Sequence, residues 1–184
     1  TARVFMLISF GNLAKAAFPV DSVATATPLP ELASGNAVSL FDLFIGNVGG
    51  AIGETSVLAL LIGGIYLLVR RIITWHLPFT FIVTVFIISF LVDGFSFINA
   101  LSWIFAGGLL IGAFFMATDY VTRPITKNGQ IVFGIFLGIM TGIFRLFGPS
   151  SEGVSYAIII GNILVPLIER VTQPKPFGKG GERS

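Results

Sequence analysis

Apolar residues gather in five blocks along the chain, at 55–69, 79–92, 101–116, 131–147 and 154–168, with short polar stretches between them. Blocks of that kind predict an all-α membrane protein with five transmembrane helices. A span needs about 20 apolar residues, and several of the blocks are shorter. Their ends must borrow depth from flanking Gly, Ser and Thr, or the helices must be covered by protein neighbours. Short spans interrupted by glycine are typical of transporter-like helices.

The first fifty residues read differently. Residues 4–10 form an apolar run too short to cross a bilayer, which predicts the tail of a preceding helix or an interfacial segment. Because the sequence opens on Thr1 and enters that run directly, it reads as the later part of a longer polypeptide. In 33–47 apolar positions mix with Ser34, Asn36, Ser39 and Asp42, which predicts a short interfacial or re-entrant helix. Gly46, Gly49, Gly50 and Gly53 follow, a stretch where backbone can approach a ligand or another helix closely.

Composition supports a lipid environment. Of 184 residues 54% are apolar and only 11% charged, with mean hydropathy +0.93; soluble domains carry roughly 25% charge. The absence of cysteine excludes thiolate iron–sulfur ligation and disulfides, and His76, the single histidine, excludes a multi-histidine metal site within this chain. The net charge is only +2, and the basic residues flank apolar blocks, which speaks for membrane topology and against nucleic acid.

Eight of the eleven basic residues, Arg70, Arg71, Arg123, Lys127, Arg170, Lys175, Lys179 and Arg183, follow the first, third and fifth blocks. The positive-inside rule makes that side cytoplasmic. Residues 1–54 then form an extracytoplasmic loop and interfacial segment, 55–168 a five-helix transmembrane domain, and 169–184 a cytoplasmic basic tail.

Three polar constellations could carry chemistry. Glu54, Thr55 and Ser56 open the first span, where they can cap the helix or, with the preceding glycines, cradle a phosphate. Asp119, bracketed by Thr118 and Thr122 where the third span ends, can cap a turn, pair with Arg123, or act as a stopping point for a cation or proton. Between Pro19 and Pro28 lie Asp21, Ser22, Thr25 and Thr27. The two prolines disfavour helix, so these hydroxyls lie on extended or turn backbone, open to a modifying enzyme.

The run Asp21-x-x-Ala24-Thr25-Ala26-Thr27 resembles the D-x-x-[S/T]-G-A-T flavinylation signal. Ala24 stands where that signal prefers a hydroxyl, and Thr25 where it prefers glycine. Further along, Gly50-Ala51-Ile52-Gly53-Glu54-Thr55-Ser56 with Arg70-Arg71, then Phe115 to Pro124, then Glu152-Gly153-Val154 with Asn162, resemble the NqrB/RnfD family in order. The tail Pro174-Lys175-Pro176-Phe177-Gly178 is most similar to the RnfD branch, from the Rnf ion-translocating oxidoreductase complex.

The resemblance implies a bundle of two related halves, similar to urea transporters, of which this chain would hold the later one. It implies FMN joined to Thr27 through a phosphoester bond by a flavin transferase, with Asp21 and Thr25 in the signal and Glu54, Thr55 and Ser56 near the flavin. A noncovalent riboflavin shared with neighbouring helices is a further implication. Flavin- and iron–sulfur-carrying Rnf subunits would be its partners in the cytoplasmic (inner) membrane of a bacterium or archaeon, and the chain would not be catalytic alone. Electron flow between ferredoxin and NAD would drive Na⁺ or H⁺ transport; on their placement alone, Asp119 and Glu54, beside Thr118 and Thr122, are the candidate coupling groups. Arg145 would snorkel to the outer interface, or pair with Glu152 or a flavin carbonyl. The competing expectation is a urea-transporter-like channel or secondary transporter without a redox role.

Overall fold

The computed structural model describes residues 39–47, 55–92, 94–147 and 153–173, and those residues are helical with no strand among them. Helix α1 is Leu40–Ile45, α2 Val57–Val69, α3 His76–Val92, α4 Phe97–Phe105 and α5 Leu109–Ile111, which runs into a π-helical turn, Gly112–Met116. Helices α6, Lys127–Phe147, and α7, Gly153–Thr172, complete the described chain.

By length and composition α6 and α7 can each cross a membrane, whereas α2 and α3 are apolar but have 13 and 17 residues. The third predicted span is not one helix. It divides into α4 and the segment Leu109–Met116, bent by 65°, and supplies a third crossing only if the pair is counted as one. The cause is local: Ala106 is extended, and Gly107 takes φ +71°, a conformation open to glycine at no Cβ cost.

Helix packing follows from small residues. Gly134, Gly138 and Gly142 of α6 lie against Thr80, Thr84 and Ile88 of α3, where an added Cβ would stand 3.0, 2.5 and 2.9 Å from the nearest side-chain atom. Both series ascend together, so α3 and α6 run parallel. Such spacing lets backbones approach where lipid supplies no hydrophobic drive. Helix α7 runs the other way, with Gly161 against Leu137 and Phe133, and Gly153 against Phe144. Between these helices Phe81, Val85, Phe133 and Leu137 are fully buried. Two hydroxyls of α3 bond to their own helix: Thr84 donates to the Thr80 carbonyl at 2.7 Å and Ser89 to that of Phe86 at 3.0 Å.

Candidate functional site

Hydrogen bonds gather the loops at two ends of the bundle. At the first, the buried Gln130 accepts from the Thr74 hydroxyl at 2.6 Å and donates to the Pro124 carbonyl at 3.1 Å. Thr126 donates to Thr172 at 3.0 Å, the Ile125 amide donates to Glu169 at 3.1 Å, and the Tyr120 hydroxyl donates to the Ile72 carbonyl. The end of α2 and the starts of α3 and α6 therefore meet the end of α7. The basic residues Arg70, Arg71, Arg123, Lys127 and Arg170 belong to these segments.

At the opposite end, α1, the start of α2 and the break after α4 come together. Leu43 and Ala106 are buried in one small cluster with Leu40 and Phe105, and the rings of Phe44 and Phe105 lie 6.2 Å apart. Gly46 takes φ +103° at the end of α1 and sits so tightly on Ser56 that an added Cβ would be 2.9 Å from the Ser56 Cβ. Ser56 is the N-cap of α2 and accepts from the Ala59 amide at 3.3 Å. Its hydroxyl thus fills the capping role that residues 54–56 foreshadowed, and Thr55 is the residue before it.

Arg145 closes this end. Its Nη1 donates to the Trp103 carbonyl at 2.5 Å and its Nη2 to the Ala106 carbonyl at 3.1 Å. Those oxygens belong to the last turn and cap of α4, where a helix leaves carbonyls without intrahelical donors. A guanidinium presents several donors in a fixed fork, and its positive charge complements the negative end of the helix dipole. The expected snorkelling of Arg145 is thereby replaced by an inward hydrogen-bonded cap; Glu152, its other expected partner, lies outside the described residues.

The second constellation is partly buried and partly exposed. Thr118 is buried and donates to the Phe114 carbonyl at 2.6 Å, while Asp119 is exposed and accepts from Thr122 at 3.5 Å. Thr118 and Asp119 thus have different surroundings, and Arg123 lies over the Tyr120 ring at 4.7 Å. Just before them the π-helical turn is closed by the Ala117 amide on the Gly112 carbonyl at 2.7 Å. Single π turns recur at functional sites. This one sends Phe114 onto Gly64 and Phe115 onto Gly63 of α2.

Asp21, Thr25, Thr27 and Glu54 lie outside the described residues. Among the described residues no group of three His, Asp or Glu side chains could hold a metal ion. Sequence reasoning missed the Arg145 cap and the π turn. The helix break had a signal, the pair Gly107-Gly108, inside an otherwise unbroken apolar run.

The sequence model of the NQR2, RnfD, RnfE family matches residues 1–178. The D subunit of the Na(+)-translocating ferredoxin:NAD(+) oxidoreductase complex of Acetobacterium woodii is 44% identical over 185 residues, covering 96% of this chain and 57% of that protein. Its counterpart from the proton-translocating complex of Clostridium ljungdahlii is 42% identical over 173 residues, covering 86% and 52%. The D subunit of an ion-translocating oxidoreductase complex of Stutzerimonas stutzeri is 40% identical over 144 residues, covering 77% and 41%. The chain spans about half the length of the curated relatives it matches.

Proposed function

Since the chain belongs to the NQR2, RnfD, RnfE family, we propose that it works in the RnfD component of a membrane complex that couples electron transfer between ferredoxin and NAD to Na⁺ or H⁺ transport. The observation that carries this is the similarity to the D subunits of complexes named for that activity, 44% and 42% identical over most of this chain. One of those relatives is named for Na⁺ and the other for protons. Partners would be the other components of such a complex, carrying flavin and iron–sulfur centres.

Thr27 is the proposed FMN acceptor, on the strength of Asp21, Ala26 and Thr27 in the flavinylation pattern. The bond would be a phosphoester made from FAD by a flavin transferase, and riboflavin would be shared with neighbouring helices. When bound, FMN supplies single-electron transfer. The tether removes the translational freedom that a diffusing carrier would have to lose. At the end of the bundle away from the basic residues, Gly46 packs on the Ser56 cap and Arg145 on the end of α4. With the basic end cytoplasmic by the positive-inside rule, that opposite end would face outward, and the Thr27 loop would lie on the same side.

The test is mass spectrometry of the Thr27 peptide from the complex expressed with its flavin transferase, alongside a Thr27→Ala variant. Native peptide heavier by the FMN phosphoester, lost in the variant together with ferredoxin:NAD electron transfer, is expected. An unmodified native peptide refutes the assignment.

The broken α4–α5 pair favours a second reading, a urea-transporter-like channel or secondary transporter, because discontinuous helices line many transport sites. Solute flux in liposomes without any redox partner would support it.

A further inference from the structure

The basic end of the bundle holds cations on connections that hydrogen bonds lock together. Helix α2 ends in a Schellman motif: the Arg71 amide donates to the Leu68 carbonyl and the Ile72 amide to that of Leu67, each at 3.0 Å. Arg71 occupies the left-handed position of that motif at φ +54°, where glycine is the usual residue. A bulky cation at a glycine position gains nothing for the backbone. The next residue, Ile72, accepts from Tyr120, and Arg123 lies over the face of the same Tyr120 ring with Nη1 buried and without a hydrogen-bond partner.

Tyr120 thus ties the residue after Arg71 to the segment that carries Arg123, and Lys127 opens α6 four residues further on. Of the nearby carboxylates, Asp119 accepts from Thr122 and Glu169 from the Ile125 amide. The segments joined here carry Arg70, Arg71, Arg123 and Lys127. The surroundings are apolar and outward-facing, with Val121 88% and Ile125 83% exposed on the same connection as Arg123. Trp75, stacked on His76 with ring centroids 4.4 Å apart, stands exposed at the start of α3, as amphipathic rings do at headgroup depth.

We propose that Arg71 and Arg123, flanked by Arg70 and Lys127, bind the phosphate of an anionic phospholipid, whose acyl chains cover Val121 and Ile125. Cations alone would suit any phosphate; the exposed aliphatic side chains around them select a lipid. Basic pockets between helices on one membrane face recognise headgroups in this way. The site stands whether or not Thr27 carries a flavin.

The complex, purified and stripped of lipid, is titrated with phosphatidylglycerol, phosphatidylcholine or inorganic phosphate while native mass spectrometry counts bound lipid and Trp75 fluorescence is followed. Saturable phosphatidylglycerol binding is expected, with phosphatidylcholine and inorganic phosphate inert. Arg71→Gly, which suits the left-handed backbone better and so keeps the fold, should weaken it roughly tenfold, the loss of one charge-assisted contact. Arg123→Gln should do the same. Equal binding of both lipids, full competition by inorganic phosphate, or unchanged affinity in Arg71→Gly overturns the proposal.

Discussion

Replacing Arg145 by methionine tests whether a side chain on α6 holds the α4 break in place. Methionine keeps most of the stem's apolar contact while removing both bonds to the carbonyls of Trp103 and Ala106. A hydrogen bond to a charged group contributes about 1.5–3 kcal/mol, and the helix-end charge adds about 0.3–1 kcal/mol. Two bonds would give about 3–6 kcal/mol before relaxation, and water reaching the half-buried site offsets part of that. A loss of about 2–4 kcal/mol is the expected result. Arg145→Lys retains the charge and one donor direction, so it should recover roughly half. Equilibrium unfolding in bicelles with added denaturing detergent gives the numbers, and cysteine accessibility at an engineered Ala106→Cys reports whether the break itself has opened. If Arg145→Met changes stability by less than about 0.5 kcal/mol and leaves that position protected, the cap is incidental and the bend stands on Gly107 alone.

Gln130→Leu strands the Thr74 hydroxyl and the Pro124 carbonyl, and should cost about 2–4 kcal/mol by the same unfolding assay. Gly142→Ala drives a methyl group to 2.9 Å from Ile88 and should cost about 1–3 kcal/mol; pairing it with Ile88→Ala should return part of that loss, which a double-mutant cycle measures. Ser56→Ala removes the α2 cap, with an expected loss of about 1 kcal/mol and faster hydrogen exchange at the first amides of α2.

The helical class and the helices behind the five apolar blocks were legible because burial in lipid demands long apolar runs. What failed was continuity. Residues 101–116 contain no charge and no proline, so hydropathy joins them, while the bend depends on one φ at Gly107 and on a cation 38 positions away. Arg145 itself was visible, yet its partner is backbone carbonyl, which has no signature in side-chain identity. Ser56 was legible as a cap because capping is local. Thr118 and Asp119 are adjacent in sequence, but they lie in the turn that follows Met116, where one is buried and the other exposed, and no helical period predicts which. Arg71 shows the opposite failure, since its left-handed backbone belongs to glycine by any local rule.

The two ends also bear on which carboxylate could sense an electron on the proposed Thr27 flavin. Helix α2 has 13 residues, so about 20 Å separates its Ser56 cap from the end where Ile72 meets Tyr120, next to Asp119. At an effective dielectric constant of about 20, one added charge acts across about 20 Å with about 0.8 kcal/mol, a fourfold change in ion affinity at best. Field alone therefore couples Asp119 weakly. Glu54, two residues ahead of the Ser56 cap, is the one of the two candidates nearer in sequence to the loop. For Asp119 to respond more strongly, something must move between the ends. The bent α4–α5 pair lies between them: Gly107 sets the bend, Arg145 holds the end of α4, and Phe114 and Phe115 of the π-helical turn lie against Gly64 and Gly63 of α2. Helices close-packed on glycine, as α3 and α6 are, leave less room for a change of angle than the broken span does.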